Sequence, residues 1–390
     1  MGSIKDFLRN NIRQYAMLIA LVFIMLFFQV STEGILLVPM NVTNLVLQNA
    51  YVFILAIGMT LCILTGGNID LSVGSVVAFV GALCGTFIVT MKMSVGLGIV
   101  LALGVGLAIG VWQGFWIAYV RLPAFIVTLA GMLTFRGLTT FMLKGLTIGP
   151  FPEVFQQISS GFLPDFLGSE ESAFNVTTLF AGAALVFLYV LMQLRQRANR
   201  RRNGYESTPL ALFAIKLALV VGVIAMASFW LASYRGVPII FIIIGVLVIA
   251  YSFLTSSTVP GRYLYATGGN EKAAQLSGIN TNKVLFLAYV NMGVLSAIAG
   301  IAVASRLNAA SPLAGQNFEL DAIAACFIGG ASATGGIGTI GGAIIGALVM
   351  GVLNNGMSLL GIGSDIQQYV KGMVLLAAVA FDVISKRKAR

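Results

Sequence analysis

The chain has 390 residues, 58% of them hydrophobic and only 9% charged, with a mean hydropathy of +0.97. A soluble domain is nearer half apolar and a quarter charged, so this much apolar surface calls for lipid as the solvent. Histidine is absent, which excludes His-based triads, His-ligated zinc and imidazole proton relays within this chain. The dispersed cysteines Cys62, Cys84 and Cys326 sit in apolar stretches and read as small buried hydrophobes. No Gly-Lys dipeptide occurs, so there is no G-x-x-x-x-G-K-[ST] phosphate loop, and any ATPase must be a separate subunit.

In chain order, Lys5, Arg9 and Arg13 precede an apolar run at 15–30, with no small-x-small cleavage site after it. Further candidate spans are 45–64, 71–91, 94–119, 124–143, 175–194, 209–232, 237–255, 283–304, 320–335, 337–358 and 366–384. Each is close to the roughly 20 apolar residues that cross a bilayer. The expected fold is therefore all-α: a polytopic membrane protein of about 12 transmembrane helices, some broken or re-entrant, in one permease domain over 1–390. Of the 23 Lys and Arg residues, 16 fall on one side of this layout and four on the other. The positive-inside rule then puts both termini, 195–208 and 256–282 inside, and 144–174 outside. The net charge of +10 follows from these flanking bases and is not a nucleic-acid footprint.

Two segments interrupt the apolar pattern. Thr65-Gly66-Gly67-Asn68-Ile69-Asp70-Leu71-Ser72 is polar and Gly-rich where two spans should join. Such a stretch is tolerated at membrane depth only inside protein or beside water. The second is 256–282, where Asn270 is an N-cap, Glu271 suits a first turn and Gly278 a stop, giving a helix from Glu271 to Leu276. Its small apolar face of Ala273, Ala274 and Leu276 has little of its own chain to pack against and looks built to dock elsewhere.

Gly336-Ile337-Gly338-Thr339-Ile340-Gly341 matches a dinucleotide fingerprint, yet no βαβ unit surrounds it, and a turn between spans is expected instead. Gly106, Gly110 and Gly114 share one helix face for close packing, as do Gly342 and Gly346. Asn68, Asp70, Gln113, Asn354 and Asn355 are candidates for a substrate path, because neutral amides bind hydroxyls well. Amides equally tie transmembrane helices together, so both readings stand. Asp70, Arg136, Lys371 and Asp382 are the charges nearest the hydrophobic zone, too few for an evident ion relay.

The string Gly268-Gly269-Asn270-Glu271-Lys272-Ala273-Ala274 with Leu276-Ser277-Gly278-Ile279 resembles the coupling loop of permeases from binding-protein-dependent ABC sugar importers, the ribose, xylose and galactose class. Leu64–Ser75, Pro123–Met132, Glu319–Ala325 and Gly351–Gly356 resemble the same family, so the likeness runs from about residue 45 to the C-terminus. The resemblance implies an importer subunit in the bacterial inner membrane that moves a monosaccharide by alternating access. It implies a second permease copy, ATP-binding cassette subunits that hold ATP and Mg, and a periplasmic sugar-binding protein. No cofactor or catalytic residue is expected in this chain. Gly269, Asn270, Glu271, Lys272, Ala273, Ala274, Leu276 and Gly278 would couple to the ATPase. Glu170, Glu171 and Arg306, in outer loops 144–174 and 305–318, would dock the binding protein. Shorter members lack a helix pair at 175–232, expected here at the periphery, which makes the layout similar to the xylose and multiple-monosaccharide permeases. An ion-coupled sugar carrier is the alternative.

Overall fold

The computed structural model describes residues 12–168, 172, 174–204 and 209–389, with backbone alone for 12–16, 381, 383 and 385–389. In chain order the helices are α1 (Ile12–Ser31), α2 (Pro39–Leu64), α3 (Val73–Cys84, continued by a π-helical turn to Thr90), α4 (Val95–Ala118), α5 (Ala124–Leu143) and α6 (Glu153–Ser160). There follow α7 (Val176–Arg202), α8 (Leu210–Ala232), α9 (Ile239–Ser257), α10 (Val259–Gly269), α11 (Glu271–Leu276), α12 (Thr281–Leu307), α13 (Phe318–Ile328), α14 (Ile340–Leu359) and α15 (Ser364–Ala389). No strand occurs among the described residues. Nine of these helices are long and apolar enough to cross a membrane, and the all-α, multi-pass expectation is met.

The described chain forms two compact units. The smaller comprises 37–44 and 161–239. In it α7 and α8 pack together, Arg197 stacking over the Phe213 ring at 4.6 Å, so the expected pair 175–232 is two contacting helices. Arg195 to Arg202 continue α7 and do not form a loop. Asp165 closes the turn before α7 by accepting from the backbone N–H groups of Gly168, Val176 and Thr177. These bonds and the Thr177 hydroxyl favour its ionised form and hold its carboxyl well below the usual range.

The larger unit is built around α12, which packs on α3 and α4. The expected glycine face of α4 is the contact: a Cβ at Gly106 would lie 2.4 Å from the Ala297 Cβ. Gly110 and Gly114 meet the α12 backbone in the same way, so this stripe is internal packing. All three cysteines are buried and free, as expected.

Three of the expected spans, 15–30, 320–335 and 366–384, are not among the nine long apolar helices, and the middle one is redrawn. Residues 320–335 are not a full-length spanning helix, because α13 covers only Phe318–Ile328, about 16 Å of helix. Gly329 follows it, and Gly330 takes a positive φ of +83°. The preceding residues make up the distance. Asn308, at φ +52°, ends α12, Ala310 bridges to Ile148, and the chain then turns back along the helices. Arg136 receives it there, its guanidinium donating to the carbonyls of Pro312 (3.1 Å), Ala314 (2.6 Å) and Gly315 (3.3 Å). Arg136 lies seven residues, about 10 Å, before the end of α5. Phe318, opening α13, stacks on Tyr51 at 3.5 Å, and Tyr51 is midway along α2. Segment 308–317 is therefore a coil that runs to membrane depth and is continued by α13.

Candidate functional site

The helix expected from Glu271 to Leu276 is α11, with those bounds. Asn270 caps it, its side chain accepting from the Ala273 N–H at 3.0 Å. Gly278 ends it at φ +82°, and the Ile279 N–H reaches back to the Ala274 carbonyl at 3.1 Å. What the sequence did not show is how firmly α11 is held by its own chain. The Arg121 guanidinium donates to Glu271 at 2.7 Å and also to Asn282. Thr281 and Gln275 donate to the same Glu271 oxygen. Partial burial works against ionisation of Glu271. The hydrogen bonds and the Arg121 charge outweigh it, so the carboxyl sits below its ordinary range.

The expected docking face needs a correction. Ala274 is 4% exposed and lies under α11, against the protein's own interior. Lys272, Ala273 and Leu276 are exposed, Leu276 at 90%. Residues 259–269 are not an open loop but helix α10, capped by Thr258 with Pro260 in its first turn.

Three motifs that are remote in sequence meet beside α11. Gly268, near the end of α10, packs on the end of α2 so closely that a Cβ there would lie 1.8 Å from the Leu64 carbonyl oxygen. That same carbonyl accepts the Gly336 N–H at 3.1 Å. Tyr265 of α10 donates to the Gly338 carbonyl at 2.8 Å. Thus the 65–72 coil, the coupling segment and the 336–341 motif share one junction, and that motif is a turn over 336–339, as expected, before Ile340 opens α14. Gly269, one residue on, meets no atom within 4 Å of an added Cβ. Next to the junction is a cavity of ≈ 360 Å³ lined by Thr65, Asn68, Arg121, Thr267, Asn270 and Glu271 among others.

The five expected path residues fall into separate groups. Asp70 and Gln113 converge on Ser72, whose hydroxyl donates to Asp70 at 2.6 Å and accepts from Gln113 at 2.6 Å. Both are buried, at 2% and 1% exposure, and the network braces the coil against α4. Asn68 alone of the group lines the cavity. Asn354 donates to Asn49 at 3.1 Å, tying α14 to α2, and Asn355 is buried beside it. Arg306 is half-buried in the last turn of α12, whereas Glu170 and Glu171 lie outside the described residues.

The sequence missed a buried charge cluster. Lys371 of α15 lies 3.0 Å from one Asp321 oxygen and donates to the other at 3.2 Å; Tyr51 donates to the latter at 2.6 Å. Asp321 is fully buried. In the sequence Asp321 stands at the edge of the expected span 320–335; the 308–317 coil carries it inward.

The family described as the branched-chain amino acid transport system permease component matches residues 41–379. The chain belongs to this permease family. It is 41% identical to the xylose transport system permease protein XylH of Haemophilus influenzae, over 97% of this chain and 98% of that one. The Escherichia coli K12 XylH is 39% identical over 97% of this chain and 94% of its own length. The ribose import permease protein RbsC of Bacillus subtilis is 38% identical over 88% and 85%. No solved structure matches the chain. The resemblance read from residues 64–75, 123–132, 268–279, 319–325 and 351–356 is thereby borne out, and the chain is a multi-pass transport permease.

Proposed function

We propose that this permease is the transmembrane subunit of an ATP-driven importer of a monosaccharide, xylose being the first sugar to test. The observation that carries the reading is the near full-length likeness to xylose permeases, 97% of the chain against 88% for the ribose permease. The partners proposed are two ATP-binding subunits, a sugar-binding protein and a second copy of this chain.

In this reading α11 is the coupling helix and lies on the inner side with both termini, in line with the basic residues at that end. Its exposed face of Lys272, Ala273 and Leu276 meets the ATPase, while Asn270, Glu271 and Gly278 shape the helix. Ala274 and Gly268 connect it to the body of the permease, and Gly269 sits beside it. The acidic loop 144–174, with Glu170 and Glu171, receives the binding protein; Arg306 stands at the same outer side.

Reconstitution into proteoliposomes with candidate ATP-binding and sugar-binding subunits tests the transport reading and the orientation together. Labelled xylose uptake should require ATP on the face where Leu276→Cys is labelled in the permease alone, and binding protein on the other. Uptake driven by an ion gradient with no ATPase would overturn the reading. Uptake with ATP required on the unlabelled face would overturn the orientation.

A further inference from the structure

We propose that the sugar path borders the non-helical segment 311–317 and the first turn of α13, with Gln316 as its exposed polar residue. The inference rests on the transport reading above and names where in the fold the sugar passes. Segment 308–317 is non-helical, and the Arg136 and Tyr51 contacts set its depth between the ends of α5 and α2. Irregular backbone at that depth is stable only when enclosed by protein or bordered by water, because lipid offers no hydrogen-bond partner. Here one side is enclosed: Arg136 takes up three of its carbonyls, and Gly315 is packed against Gly74. The other side is open. Leu313 is 75% exposed and Leu320 38%, with Gln316 exposed between them. Lipid on that side would meet an uncovered primary amide. Water and a polyol would meet donors and acceptors that suit them. The buried Asp70–Ser72–Gln113 network, by contrast, has already spent its hydrogen bonds within the chain.

Accessibility in the assembled transporter decides this. In a background with Cys62, Cys84 and Cys326 replaced, single variants Gln316→Cys and Leu219→Cys are exposed to a charged, membrane-impermeant thiol reagent, with and without saturating xylose. Leu219 is a mid-helix apolar residue of α8, 65% exposed, and serves as the lipid-facing reference. Position 316 should react at least tenfold faster than 219, xylose should slow that reaction several-fold, and modification should abolish uptake. Two results overturn the proposal. One is a position 316 as inert as 219, the mark of lipid or of a sealed contact with a second copy. The other is a reactive 316 that xylose does not protect and whose modification leaves uptake intact. Uptake by the unmodified background reports separately on the transport reading: were it absent, that reading would fail, while the labelling rates would still show whether the coil meets water.

Discussion

Gly268→Ala is expected to abolish ATP-driven uptake, whereas Gly269→Ala should leave it within a factor of two of wild type. The two glycines are adjacent in one motif, and only the structure distinguishes them. A Cβ at Gly268 would sit 1.8 Å from the Leu64 carbonyl oxygen and 2.5 Å from the Gly336 nitrogen. Both are backbone atoms, which cannot swing aside as a side chain can. Overpacking a fitted contact costs roughly 1–3 kcal/mol, occasionally more, and a fixed backbone puts this site at the upper end. The strain would be relieved by lifting α10 off the end of α2, separating α11 from the 65–72 coil and the 336–339 turn. ATPase activity in the complex should persist while uptake per ATP collapses. Equal effects of the two alanines would contradict the junction's role in transmitting motion.

The second large effect is expected at the Asp321–Lys371 pair. Asp321→Leu strips Lys371 of its counter-charge, and Lys371→Met leaves a buried carboxylate held by Tyr51 alone. Removing one partner of a buried pair costs roughly 3–5 kcal/mol, because the remaining charge is uncompensated. The double variant should recover most of that loss, short of about 1–3 kcal/mol for the unpaired Tyr51 hydroxyl. Thermal unfolding of the purified permease in detergent measures this. A double variant no more stable than the worse single variant would show that the two charges do not compensate each other.

The spans were legible in the sequence because lipid imposes a simple rule, about 20 apolar residues for each crossing. The rule failed at 320–335, where 16 residues with Gly329-Gly330 inside them were taken as a span. Their shortness was the available signal. Ser311-Pro312 and Gly315 just before them marked the coil that supplies the missing distance. With Asp321 at the very edge of that expected span, its pairing with Lys371, 50 residues on, was not legible. Asn270, Glu271 and Gly278 were enough to define α11, since caps and stops are local chemistry. Burial of Ala274 was not legible, because six residues are under two turns and carry no usable periodicity. The junction of Leu64, Gly268 and Gly336 joins positions some 70 to 270 residues apart in the chain, and nothing local records such a meeting. The pairing of Asn49 with Asn354 was hidden for the same reason.

Leu276 tests the coupling assignment most directly. It is 90% exposed at the end of a helix whose other face is fastened to the permease. Leu276→Glu should leave folding unaffected, since the side chain touches little of its own chain. In a docked complex the same change buries a charge in an apolar contact, and each 1.4 kcal/mol lost is about tenfold in affinity. The measurement is co-purification of the ATP-binding subunit with tagged permease, alongside the permease's own melting temperature. The account predicts stoichiometric recovery with wild type, at least a tenfold loss with Leu276→Glu, and an unchanged melting temperature. Ala274→Glu should instead lower the melting temperature, because Ala274 faces inward. Full recovery of the ATPase with Leu276→Glu, together with wild-type uptake, would contradict the assignment of α11 as the coupling helix.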